Sequence, residues 1–173
     1  NPQTNPHGWT EVTLGKLFST SPIFGTMIPP TSTGGQWLSI RVANIQGWAL
    51  DLSDKKYVSL PEETIERHSV ADGDLLMARA IASQAHLGKS IVAYPRGRKW
   101  AFDSHIMRLR FDSRKAEPEF IRHLLMVPGG RELFLKASRR SSVQFIINTK
   151  EIADLFVPLP PIELQRKFVS QVM

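Results

Sequence analysis

The clearest chemistry in this 173-residue chain is a set of hydrogen-bond donors set between apolar runs. Arg79, Lys89, Arg96, Arg98, Lys99, Arg139 and Arg140 are suited to phosphate oxygens, contacts that supply affinity and register on a nucleic acid without reading its sequence. Gln36, Gln144 and Asn148 carry amides that can pair bidentately with a base edge, and Ser141 belongs to the basic connector Ser138–Ser142 between them. These donors are expected to form one continuous concave surface. Trp37, Trp48 and Trp100 are candidate stacking platforms for unpaired bases, with packing in the sheet or core expected for at least two of them.

The residue patterns of common catalytic sites are missing. No Gly-x-Gly-x-x-Gly follows a strand, and the glycines of Pro30–Gly35 lack the Lys-Ser/Thr of a phosphate loop. Pro160-Pro161 is preceded by Leu159, which has no polar group to hold a target amine, and no Asp…Glu-x-Lys nuclease core stands out. His105 beside Asp103 and Ser104 is the one histidine open to an acid–base reading, but no separated partner completes a triad; a structural role is expected for it. His86 and His123 lack a metal-ligand spacing. The absence of cysteine fits a reducing cytoplasm and removes thiolate nucleophiles and cysteine-bound zinc. No apolar run approaches the roughly 20 residues that span a bilayer, and no signal-peptide pattern opens the chain. The expectation is a cytoplasmic, prokaryotic location with no membrane partner.

Charge favours a polyanionic partner. The formal net charge is +6, and its distribution is uneven. Asp51 to Asp74 holds seven acids against three bases, Arg79 to Lys115 nine bases against two acids, and Arg131 to Lys150 five bases against one acid. Such segregation predicts one basic and one acidic or neutral face.

The elements that must position these donors are short. Trp9 to Leu14 is an expected opening strand, and Ser19 to Gly35 a long loop without periodicity. Trp37 to Ile45, Tyr57 to Ser59, Asp74 to Ala78 and Gly88 to Tyr94 are expected strands. Trp100 to Phe102 and Ile106 to Phe111 are expected to pair as a hairpin. Pro118 opens a helix, Pro128-Gly129-Gly130 is expected to break it, and Arg131 to Ala137 forms another. Gln144 to Asn148 is β-prone, Thr149 can cap one helical turn, Leu155 to Leu159 is a closing strand, and Pro160-Pro161 starts a last helix. Its stripe of Leu164, Phe168, Val169 and Val172 is too short to stand alone, so it is expected to pack on a partner. The order of elements predicts an α+β fold with a curved mixed or antiparallel sheet, a partial barrel, and a few helices. Residues 1–159 form the expected recognition domain and residues 160–173 the beginning of a long C-terminal helix.

Several stretches carry a family resemblance: "WTEVTLGKLF", "WLSIRVANIQGW", "DKKYVSL", "VADGDLLMAR", "LGKSIVAY", "PEFIRHLLMVPGGRELF" and "SVQFIINTKEIADLFVPLPPIELQRKFV". In this order, and ending in Pro-Pro-hydrophobic-x-x-Gln, the series resembles a target recognition domain of a type I restriction–modification specificity subunit. Leu164-Gln165 departs from the Glu-Gln usual there. The resemblance implies a non-catalytic reader of double-stranded DNA that directs adenine-N6 methylation and restriction by partner subunits. Methyltransferase subunits would dock on the helices and bring S-adenosylmethionine, and a restriction subunit would use ATP and magnesium; no cofactor is implied for this chain. With one recognition domain present, the chain is a fragment of a two-domain subunit or a half-subunit that self-associates through its last helix. Two other readings remain open: the specificity domain of a fused type II restriction–methylation enzyme, and a protein-assembly module that turns its basic face to an acidic protein.

Overall fold

The computed structural model describes residues 5–83, 86–140 and 145–173. Its strands are β1 (Thr10–Thr13), β2 (Phe18–Phe24), β3 (Trp37–Ile40), β4 (Ile45–Gln46), β5 (Ala49–Leu50) and β6 (Tyr57–Val58), followed by a short helix α1 (Ile65–His68). Then come β7 (Asp74–Ala78), β8 (Ala80–Ile81), β9 (Ser90–Ala93), β10 (Trp100–Phe102) and β11 (Ile106–Phe111). Helices α2 (Pro118–Met126) and α3 (Pro128–Ala137) precede β12 (Arg139–Arg140), β13 (Phe145–Ile146), α4 (Thr149–Ala153), β14 (Phe156–Leu159) and α5 (Ile162–Val172). The fold is α+β, as the order of elements predicts, and among the described residues none of its sheets closes on itself.

The organising layer is an antiparallel sheet ordered β2-β11-β7-β9. Every residue of β7 is buried because both of its faces are covered. Side chains alternate across a strand, so Leu75 and Met77 join one core with Leu14, Leu17, Met107, Leu109, Phe120, Ile121 and Phe134, which includes the inner faces of α2 and α3. Leu76 and Ala78 join a second core with Ile40, Ile91, Trp100, Phe102 and Ile106, against the sheet β10-β3-β6. Each fully buried aliphatic or aromatic side chain stabilises by roughly 1.5–3 kcal/mol, so the helix–sheet–sheet sandwich holds without a metal or disulfide.

Four local expectations are corrected. The first half of the expected long loop is strand β2, an edge strand with Pro22 in it, paired to β11 through register shifts at Arg110. Proline is tolerated there because an edge strand need not donate every N–H. Strand β3 stops at Ile40, and Val42 to Asn44 turn as a 3-10 helix closed by the Asn44 side chain accepting the Arg41 N–H at 3.1 Å. Strands β10 and β11 are joined by a tight turn but do not pair: β10 runs parallel to β3 in the other sheet. Gly25 sits where the two sheets part, and a Cβ there would overlap the carbonyl oxygens of Phe102 and Asp103. Pro128-Gly129-Gly130 forms the first turn of α3, since proline at a helix start loses no intrahelical bond. A Cβ on Gly130 would overlap the Leu124 carbonyl oxygen, so the glycine permits the tight α2–α3 corner.

The last helix does not stand clear of the domain. Phe168 packs edge-on against Phe120 with ring centroids 5.7 Å apart, and Val169 lies against the same core. Leu164 and Val172 are exposed. The stripe is thus split, with half of it seated on α2 and half facing outward. Gln165, fully buried, accepts the Glu117 N–H at 2.9 Å and donates to the carbonyls of Pro160 at 2.9 Å and Lys115 at 3.1 Å.

Candidate nucleic-acid interface

Arg79 follows β7 directly and is held in place by its neighbours. Its backbone N–H donates to the His105 carbonyl, and its own carbonyl accepts the Ile147 N–H, both at 2.9 Å. The guanidinium lies 4.0 Å from the centroid of the Phe24 ring, and Nη1 donates to the Ser104 carbonyl at 3.1 Å. Burial pushes its pKa below the ordinary arginine value, yet a guanidinium stays charged in proteins.

This arginine lines a cleft of about 520 Å³ between the turn after β2 and the segment around α1. Thr26, Met27 and Ile28 form one lip, with Met27 82% exposed. Thr64, Arg67 and His68 form the other. That second lip is fixed from below, because Arg108, buried in β11, donates to the Ser69 carbonyl at 2.6 Å. Burial, with Arg67 and Arg108 nearby, pushes the His68 pKa down. Among the described residues, no carboxylate lines the cleft. Arg79 Nε and His68 Nδ1 are buried without hydrogen-bond partners among the described residues, and each such atom costs about 1–3 kcal/mol. With Arg67 and Arg79 in its lining, the cleft suits a ligand that brings acceptors.

Beside it runs the ribbon β12-β13-β8, which places Arg139 opposite Ile146 and Arg140 opposite Phe145. Arg139 is exposed and ion-paired to Glu151. Glu151 is itself committed: its carboxylate accepts the Asn148 N–H at 2.8 Å, while Asn148 Oδ1 accepts the Glu151 N–H at 2.9 Å. This reciprocal cap makes Asn148, and not Thr149, the residue that starts α4, and the Asn148 amide oxygen is thereby occupied. Lys89 is half-buried next to the strand end, its carbonyl accepting the Ala78 N–H, and burial pushes its ammonium pKa down. Ser141 and Gln144 lie outside the described residues.

The remaining donors sit elsewhere. Arg96, in a left-handed turn with φ of 53°, donates its N–H to Asp72 Oδ1 at 2.8 Å, at the other end of β7. Lys99 Nζ reaches Gln36 Oε1 at 3.4 Å and lies over Trp37, and Arg98 lies over Trp100. Both Gln36 and Lys99 precede strands whose far ends approach Ser104 and Arg79. The five residues of β7, roughly 17 Å long, separate Arg96 from Arg79, and Gln36, Arg98 and Lys99 precede strands of the other sheet, so the expected single surface divides into two donor groups. Arg79, Lys89, Arg139 and Asn148 belong to the first; Gln36, Arg96, Arg98 and Lys99 belong to the second.

Of the tryptophans, Trp100 is buried in the second core. Trp37 and Trp48 are half-buried, the latter under the Arg131 guanidinium. His105 is exposed in the β10–β11 turn, with Asp103 Oδ1 accepting its backbone N–H at 3.0 Å. His123 Nδ1 donates to the Glu119 carbonyl at 2.8 Å. Among the described residues, no group of three His, Cys, Asp or Glu is placed to hold a metal ion, and no helix is long and apolar enough to cross a membrane.

The lip residues Met27, Ile28, Arg67 and His68 escape a reading from sequence alone. Their one signal is an apolar pair beside prolines in a stretch without periodicity.

No protein-family model matches the chain. It is 25% identical over 149 residues to the type I restriction enzyme EcoKI specificity subunit of Escherichia coli K12, covering 86% of this chain and 32% of that protein. It is 26% identical over 165 residues to the StySPI specificity subunit of Salmonella potsdam, covering 95% of this chain and 35% of that protein. The chain thus spans about a third of the length of the curated relatives it matches. In fold it is similar to the HsdS subunit from Thermoanaerobacter tengcongensis, with a TM-score of 0.64 at 22% identity over 96% of this chain and 37% of that one. In sequence and fold, the chain resembles the target recognition domain of a type I restriction–modification specificity subunit.

Proposed function

We propose that this chain is a target recognition domain, from a two-domain specificity subunit or a half-subunit, that binds double-stranded DNA in a sequence-specific way. Residues 160–173 begin the helix that leads to the rest of the assembly. The carrying observation is the similarity of nearly the whole chain to type I specificity subunits. The donor-lined, carboxylate-free cleft at Arg79 adds a chemical reason. Phosphate contacts by exposed cations would set register, and groups fixed on rigid elements would discriminate bases by about 1–3 kcal/mol per bidentate contact.

On this reading the chain directs chemistry that it does not perform. Methyltransferase subunits would supply S-adenosylmethionine and modify adenine N6, and a restriction subunit would use ATP and magnesium for cleavage, in the cytoplasm of a prokaryote. The exposed Leu164 and Val172 offer the last helix an outer face for such partners or for a second copy.

Selection of bound duplexes from a random pool, with the methyltransferase subunit present, tests the reading: one sequence should be enriched. Equal recovery of all duplexes, or binding insensitive to salt, would refute it. Within the interface, Arg139→Ala with Arg140→Ala should weaken binding to all duplexes alike. The slope of log K against log salt should flatten by up to about 0.9 per lost phosphate contact. An unchanged slope removes this pair from the interface.

A further inference from the structure

We infer that Arg79 reads a guanine edge, and that the cleft it lines is the specificity pocket for that base and its neighbour. This deepens the DNA-binding reading and rests on it.

An arginine fork fits a phosphate or a guanine edge, and its setting decides between them. Arg79 is held in place in advance. Its guanidinium carbon lies 4.0 Å from the centroid of the Phe24 ring, one terminal nitrogen is committed to the Ser104 carbonyl, and its backbone is bonded on both sides. Holding the fork in advance removes the ordering cost of a directional contact. The major-groove edge of guanine offers O6 and N7, two acceptors spaced for an arginine fork.

The surroundings give a base its own contacts. Met27 and Ile28 make an apolar lip at the cleft mouth, which suits a thymine methyl or a base face, and Arg67 on the opposite lip can serve the adjoining phosphate. The His68 ring, its Nδ1 without a partner among the described residues, adds a second polar group to the lining. Gly25 and the Arg108–Ser69 bond fix the two lips from separate elements, so the pocket belongs to the scaffold and is not formed by one loop.

The test compares wild type, Arg79→Lys and Met27→Ala, each assembled with the methyltransferase subunit, in random-pool selection followed by competition binding at several salt concentrations. Wild type should prefer guanine at one position. Arg79→Lys keeps the charge and loses the fork, so it should reduce that preference about 10- to 100-fold with the salt slope unchanged. Met27→Ala, at an exposed position that leaves the fold intact, should change discrimination at the adjacent base pair. Retained guanine preference in Arg79→Lys overturns the assignment, as does unchanged selectivity in Met27→Ala for the lip. Absence of any sequence preference in wild type defeats the DNA-reading proposal itself, which separates the two failures.

Discussion

Asp74→Asn should lower the melting temperature by about 6–20 °C, the largest effect expected from any single substitution at a polar residue of this chain. Asp74 opens β7 and is 1% exposed. Its carboxylate accepts two bonds from Arg110, at 2.7 and 2.8 Å, and the Ala71 N–H at 2.7 Å; Arg108 Nε lies 4.0 Å away. The hydrogen bond to Asp74 raises the Arg110 pKa, while burial lowers that of Arg108. An asparagine keeps the shape but leaves two guanidiniums, one of them buried, without a counter-charge. Removing one partner of a buried pair costs about 3–5 kcal/mol, and in a domain of this size each kcal/mol shifts the melting point by about 2–4 °C. A thermal melt followed by circular dichroism measures it; a shift below about 2 °C would mean that solvent already screens the pair. Because Arg108 also holds the Ser69 carbonyl, the substitution should loosen α1 and one lip of the cleft as well.

The second expectation concerns the junction of domain and helix. Gln165→Ala should cost about 2–4 kcal/mol, since it strands the Glu117 N–H and the carbonyls of Lys115 and Pro160, each buried unpaired group costing about 1–3 kcal/mol before water enters. The loss should be local. Amide exchange of α5 should accelerate while the sheet β2-β11-β7-β9 keeps its protection, because opening of a helix end need not unfold the core. Equal protection of α5 in both proteins would show that Phe168 and Val169 hold the helix without the glutamine.

Much of this architecture was legible in sequence where periodicity and punctuation agree. Asp72-Gly73 before Leu75 to Ala78 marks β7, Pro118 with Phe120 and Ile121 marks α2, and Pro160-Pro161 marks α5. Strand β2 was hidden because Ser19-Thr20-Ser21-Pro22 has no alternation; it is extended by pairing with β11, a tertiary cause that local pattern does not carry. The separation of β10 from β11 was hidden for a similar reason, since a turn signal between two apolar runs says nothing of which sheet each run joins. At the candidate site, Arg79 was visible as a donor, and its burial on Phe24 was not, because the ring comes from a residue 55 positions earlier. Gln165 stood out only as part of a motif; its three backbone partners span Lys115 to Pro160. Asn148 looked like a base reader because an amide near a basic stretch is ambiguous, and the capping box with Glu151 resolves its use in the fold.

The proline inside β2 has a bearing on whether another chain can extend the main sheet. A bare outer strand is a template on which another chain can lengthen the sheet, and every missing amide hydrogen weakens that template. Pro22 removes one such hydrogen from the rim of the main sheet, and Pro158 does the same in β14, the partner of β1. Both rims are thus poor seeds for strand addition. A partner that meets either of these rims must do so through side chains, which can be specific about geometry in a way that open backbone cannot.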